Sequence, residues 1–183
     1  LIAAMVPYRA DAVGNTISTA TSLTGTNPIL SGALENRTDV DVCSFTTGAG
    51  NISLSLTPAA PSGNVYGQLT LYNATGTPLA SATPSGTSTG AVSLNTSVAQ
   101  GTYYLAVDGV GYGDPLTTGF GDYGSTGQYS ITGSLVASAA ASPPVTNAKN
   151  SKPLKGVAPL TVGFTSSGSS DPDGMISKFN WNF

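Results

Sequence analysis

Residues 51–56, Asn-Ile-Ser-Leu-Ser-Leu, alternate polar and apolar side chains without a break. In an extended strand this period of two sets Ile52, Leu54 and Leu56 on one face and the polar residues on the other. A helix would scatter the same apolar positions around its cylinder and bury none of them as a stripe. Similar short runs recur at Ile29 to Leu34, Asp39 to Thr46, Gln68 to Tyr72, Pro78 to Ala82, Ala91 to Leu94, Thr102 to Val107 and Gln128 to Thr132. Turn residues separate them roughly every 8–12 residues, and no stretch carries a helical period. The expected fold class is all-β, a β-sandwich or jelly-roll-like domain.

Composition agrees with that expectation. Only 8% of the 183 residues are charged and 39% are hydrophobic, with 23 glycines and 12 prolines. β-Branched residues are plentiful and strong helix formers scarce. The last two strands frame a loop of about twenty residues, Asp108 to Gly127, rich in glycine and carrying Asp114 and Asp122. A loop of that length in a compact domain is uncommon and is either functional or packed on itself. Tyr112, Phe120 and Tyr123 are expected to supply its packing.

The chain contains no histidine. That removes the Ser/His and Cys/His nucleophile pairs and the HExxH zinc site, so no catalytic constellation and no zinc are expected in these residues. Cys43 is the single cysteine; it alternates with Phe45 and reads as a small core hydrophobe. Residues 1–135 hold seven acids against Arg9 and Arg37, a balance of −5, which offers no footprint for nucleic acid. The longest strongly apolar run, Leu1 to Val6, is far below the ~20 residues needed to span a membrane, and it lacks a basic flank. Residues 1–10 are expected to be the tail of a preceding unit.

Calcium is the one metal that the side chains suggest. The ion takes six to eight oxygens from carboxylates, amides and carbonyls. Asp39 and Asp41 lie two apart at the start of a strand and share a face there. Asp11, Asn15 and Glu35 adjoin strands that can converge on the same end. A plainer reading has Asp39 and Asp41 capping a turn at a sheet edge. Asp114 and Asp122 are a second candidate pair, set against a purely structural role for the glycine-rich loop. In SSDPDG, Asp171 and Asp173 read as an Asx-type turn. The tyrosines, Tyr103, Tyr112 and Tyr123 among them, can form an aromatic substrate-binding platform or simply fill half-buried strand positions.

Several ordered motifs together resemble the bacterial pre-peptidase C-terminal domain: GNTISTATSL, TDVDVCSFTTGAG, LTLYNATGTPLA and GTYYLAVDGVGYGD followed by GQYSITG. They cover residues 11–135. The segment NAKNSKPLKGVAPLTVGFTSSGSSDPDGMISKFNWNF resembles the first half of a polycystic-kidney-disease (PKD) domain, with Asn182 where such domains usually carry Asp between the two aromatics. MVPYRAD followed by DAVGN is similar to the junction after the catalytic domain of some secreted zinc metallopeptidases.

The resemblance implies a preceding tail (1–10), a pre-peptidase C-terminal-like sandwich (11–135), a linker (136–155) rich in Ala, Ser, Pro and Lys, and a truncated Ig-like PKD domain (156–183) with strands at Ala158 to Thr165 and Met175 to Phe183. It further implies a non-catalytic accessory module of a secreted or surface-attached bacterial metallopeptidase, serving stabilisation, secretion and processing, or substrate binding. Calcium-binding relatives draw ligands from the segment leading into the domain and from the acidic turn before the Asp39 strand. The expected partners are the peptidase domain of the same precursor and extracellular protein or polysaccharide. A different class of function is self-assembly, in which strand edges left open by this low-charge chain pair with copies of itself.

Overall fold

The computed structural model describes residues 9–61, 63–86, 90–138, 143–150, 155–172 and 175–182. The chain divides into two units, Leu1–Ser138 and Ala139–Phe183. The described residues of the first form nine strands: β1 (Thr21–Ser22), β2 (Ile29–Leu34), β3 (Val40–Thr47), β4 (Gly50–Pro58), β5 (Gly67–Asn73), β6 (Pro78–Ala82), β7 (Val92–Val98), β8 (Gly101–Gly109) and β9 (Gly127–Ser134). They form a five-stranded sheet in the order β1-β3-β8-β5-β6 and a four-stranded sheet in the order β2-β9-β4-β7. Every pairing is antiparallel except β1 on β3, which is parallel over two residues.

The period-two pattern decides what lies between the sheets. From the four-stranded sheet come Ile52, Leu54 and Leu56, joined by Val92, Leu94, Tyr129 and Ile131. From the other come Cys43, Phe45, Leu69, Leu71, Tyr103, Leu105 and Val107. Leu54, Leu69, Leu71, Leu105 and Ile131 have no exposed surface at all. Each such side chain contributes about 1.5–3 kcal/mol by leaving water. Cys43 sits in this layer as a hydrophobe, its Sγ 3.6 Å from the Leu105 carbonyl. Burial pushes its thiol up to about 12, so it stays protonated.

The outer face of the four-stranded sheet is built from the other half of the alternation. Across the strands, Ile29, Thr132, Ser55 and Ser93 stand in one row, and Ser134, Ser53 and Asn95 in the next. Ser55 and Ser93 share a hydrogen bond of 2.7 Å between hydroxyls. No charged residue lies on these strands.

Two ties close the unit at its ends. Thr47 is fully buried; its hydroxyl accepts the Val136 N–H at 3.0 Å, while the Gly48 N–H donates to the Val136 carbonyl at 2.9 Å. The departing chain is thereby fastened to β3. At the other end the leading segment runs beside β3, where the Val42 N–H donates to the Gly14 carbonyl at 2.7 Å. It then makes a short 3-10 turn at Ile17–Thr19 before β1.

The strand boundaries differ from expectation mainly in length. β7 runs to Val98, four residues past the expected end at Leu94, because Asn95 to Val98 continue the ladder on β4. The 3-10 turns at Ile17–Thr19 and Asp122–Gly124 were not signalled by any helical period.

In the second unit, main-chain strand pairing among the described residues is short. Its described residues form a two-residue antiparallel pair, β10 (Lys149–Asn150) with β11 (Phe164–Thr165), and a bridge between Val145 and Ser170. The strand expected over 158–165 is reduced to Phe164–Thr165. No strand forms among the described residues of 175–182, contrary to the expectation for 175–183; position 183 lies outside the described residues. A lone hairpin is at best marginally stable. Asp173 likewise lies outside the described residues, as does the preceding tail up to position 8.

Candidate metal centre

β3 begins with its polar residues pointing inward. Asp41, Cys43 and Phe45 lie on the side of the strand that faces the other sheet, as the period of two requires, and buried Asp39 ends the turn just before it. Cys43 and Phe45 enter the apolar layer. Asp41 and Asp39 occupy its rim, 1% and 4% exposed, where an unpaired carboxylate is costly.

Three carboxylates meet there. One oxygen from each of Asp11, Asp39 and Asp41 lies within 4.8 Å of the other two. Asp11 arrives from the leading segment, where its Oδ1 accepts the Val13 N–H at 2.9 Å. Asp39 accepts the Glu35 N–H on Oδ2 at 2.8 Å, which folds the turn between β2 and β3. Asp41 accepts the hydroxyl of Tyr129 on Oδ2, a bond that joins the two sheets. Its other oxygen, Oδ1, is buried with no partner among the described residues. Both carboxylate oxygens of Glu35, beside Asp39, are in the same condition.

The protonation of these groups records the strain. Burial, and after it the charges of Asp39, Asp11 and Glu35, push Asp41 up to about 7 in spite of the Tyr129 hydroxyl. Glu35 rises to about 7 through burial first, then Asp39 and Asp11. Tyr129 is pushed upward by burial and by Asp41, so its hydroxyl keeps the proton it donates.

Glycine makes room for this bond. Gly32 stands opposite Tyr129 in the β2–β9 register, and a methyl group at Gly32 would run into the Tyr129 ring and hydroxyl. A side chain there would displace the phenol from Asp41.

The geometry fits a hard divalent cation. Oxygens on a calcium ion at 2.3–2.6 Å can be at most about 5 Å apart. The three carboxylates meet that limit as they stand. An all-oxygen, multiply charged set suits calcium or magnesium and not the softer transition metals. Asp41 brings to this set a carboxylate whose Oδ1 is buried with no partner among the described residues.

The other expected residues are placed differently. Asn15 is exposed, one residue beyond the Gly14 carbonyl that pairs with Val42. Asp114 is exposed and engaged in its own turn: Oδ1 accepts the Leu116 N–H at 2.9 Å, and its carbonyl accepts those of Thr117 and Gly119 at 3.0 and 2.8 Å. Asp122 opens the 3-10 turn at Asp122–Gly124, and its charge helps burial raise Asp108. The glycine-rich loop is a folded hairpin instead, with Tyr112 and Phe120 bonded main chain to main chain in both directions at 2.9 and 2.8 Å.

The aromatic platform also needs correction. Tyr103 is 7% exposed, stacked on Phe45 and bonded through its hydroxyl to the Ala99 carbonyl at 2.9 Å, so it belongs to the core. Tyr112 packs its ring against Tyr66 and Phe120, with centroids at 6.0 and 6.1 Å. Tyr123 is 79% exposed and does not pack the loop; the guanidinium of Arg37 sits 5.5 Å from its ring centroid. A hollow of about 570 Å³ lies by this loop between Tyr66, Phe120, Tyr123 and several glycines. Among the described residues its lining includes no carboxylate, amine or imidazole.

One contributor to the centre carried no signal in the sequence. Tyr129 looks like any strand tyrosine, and only the register opposite Gly32 reveals its reach to Asp41. The orphaned state of Asp41 Oδ1 depends on the depth of the rim and not on any motif.

No protein-family model matches the chain, and no curated protein matches it. Among solved structures, it is similar to a 1.0 Å crystal structure of the pre-peptidase C-terminal domain of collagenase from Bacillus anthracis. Identity is 20% and the TM-score 0.43, over 62% of this chain and 92% of that one. The sandwich described above rests on its own strand pairings.

Proposed function

We propose that residues 11–135 are a calcium-stabilised, non-catalytic accessory module of a secreted bacterial metallopeptidase. The ordered motifs GNTISTATSL, TDVDVCSFTTGAG and GTYYLAVDGVGYGD support the family reading. The single observation that carries the metal is the meeting of the Asp11, Asp39 and Asp41 carboxylates, with the Oδ1 of Asp41 buried and without a partner among the described residues. An ion held there by Asp11, Asp39 and Asp41, with Glu35 adjacent, offsets a concentration of negative charge that the apoprotein bears at the rim of its core. It also fastens the segment leading into the module to β3, so that a preceding domain is held at a fixed point. The role is mechanical: stabilising and positioning, with substrate contact left to surface groups such as Tyr123.

Thermal melts in calcium and in EDTA test this reading. Calcium raises the melting temperature of the wild type, as binding to the folded state alone requires. In Asp41→Asn the calcium increment disappears, while the melt in EDTA at neutral pH equals or exceeds that of the wild type. A wild-type melt identical in calcium and EDTA would sink the metal centre.

A further inference from the structure

The sandwich presents four strand edges, and three of them are guarded. β1 is two residues long. β6 opens with Pro78 and slips register against β5 between Leu71 and Tyr72. β2 has Arg9 beside Ser31 and Gly32 and runs directly into Glu35. Short length, proline, irregular register and charge are the devices by which natural sheets avoid pairing with other chains.

β7 carries none of them. It pairs with β4 in unbroken register from Gly50↔Val98 to Leu56↔Val92, and its other side is an edge of the sheet. Its seven residues contain no charge and no proline. A row of main-chain donors and acceptors is therefore offered along about 20 Å of regular strand.

The sequence of this edge names its partner. Val92-Ser93-Leu94-Asn95-Thr96-Ser97-Val98 reads almost the same in both directions. Two such strands laid antiparallel about Asn95 set Val92 against Val98, Ser93 against Ser97, Leu94 against Thr96, and Asn95 against its own copy. The inward set (Val92, Leu94, Thr96, Val98) remains on the core side in both copies, and the outward set (Ser93, Asn95, Ser97) continues the neutral hydroxyl face. No like charges meet at the axis, which removes the usual cost of a two-fold contact. A closed two-fold interface needs this kind of self-complementary patch, in which each residue meets its counterpart.

We infer that β7 is a homodimerisation edge: two copies of this chain pair β7 to β7 antiparallel about Asn95, joining their four-stranded sheets into one of eight strands. The contact buries main-chain polar groups by strand addition and takes its register from the near-palindrome. It is independent of the metal centre.

Sedimentation velocity of the full chain over a concentration series tests this. A species of twice 18.2 kDa that dissociates on dilution is expected. Asn95→Lys places two ammonium groups against each other at the axis and raises the dimer dissociation constant at least tenfold. Asn95→Cys gives a covalent dimer with a short bis-maleimide, whereas Ser31→Cys on the opposite edge does not; the buried thiol of Cys43 stays silent in both. The cross-link remains decisive if the lysine variant folds poorly. A wild-type monomer throughout the series, a dimer that Asn95→Lys leaves intact, or cross-linking through Ser31→Cys in place of Asn95→Cys overturns the proposal.

Discussion

Asp41 shows how one position can be set against the stability of its own domain. A strand that continues the inward alternation of Cys43 and Phe45 by one more step carries a carboxylate into the core rim. Tyr129 supplies one donor, and the second oxygen has none among the described residues. The consequence is a pH dependence of uncommon sign. An acid whose folded value is raised holds its proton in the folded state while the unfolded chain has already released it. Stability is then fully present below the ordinary carboxylate value and is lost as pH rises through the folded one. For Asp41 and Glu35, both near 7, that window runs from about 4 to about 7. In EDTA the melting temperature is expected to fall by roughly 5–10 °C between pH 4.5 and 7.5. Saturating calcium reverses the slope, because the cation takes the place of the protons. A metal-free melting temperature that climbs with pH over this range would show that the two carboxyls are not raised.

At the level of elements, the long Asp108-to-Gly127 connection is a structural hairpin. Tyr66, on the chain entering β5, is its anchor: Phe120 meets it edge-on with centroids 5.2 Å apart, and Tyr112 approaches at 6.0 Å. The Tyr66 hydroxyl is held in turn by the carbonyls of Pro84 and Gly86, at 2.7 and 2.9 Å. Gly119 has no room for a side chain, since a methyl group would meet the Tyr112 carbonyl and the Asp114 amide. Phe120→Ala removes both ring contacts of this residue and is expected to cost about 1–3 kcal/mol. Hydrogen exchange should locate the damage. The Tyr112 and Phe120 amides speed up, while that of Cys43 in β3 keeps its protection. Uniform acceleration across the sandwich would instead make the hairpin part of the global core.

For the molecule as a whole, the two units differ in what supports them. The first has a continuous apolar layer between its sheets and closes its own exit through Thr47, Gly48 and Val136. The described residues of the second give a two-residue strand pair, one bridge, and exposed Val157, Met175 and Trp181. A chain ending at Ser138 is accordingly expected to melt within about 2 °C of the full chain, with the same calcium increment. A loss of more than 10 °C would mean that residues beyond Ser138 contribute to the first core.

The sequence by itself determined the class of fold, the positions of most strands and the identity of the core. A period of two is a local property: Ile52, Leu54 and Leu56 declare their common face without reference to any other strand. Cys43 and Phe45 likewise predict their own burial. Local pattern was silent wherever the outcome depended on a distant partner. Asp39 and Asp41 were legible as a pair, but their meeting with Asp11 depends on how the leading segment runs beside β3. The link from Asp41 to Tyr129 spans 88 residues and exists because Gly32 leaves space for a ring in the facing sheet. Tyr103, open in the sequence to a binding platform or a half-buried strand position, is buried because it falls on the face of β8 that packs on Phe45. The same limit applies to β7, whose near-palindrome is plain in the sequence while its place at an edge is fixed only by strand order. Periodicity tells each residue which side of its strand it takes; only the packing of one sheet on the other decides what it meets there.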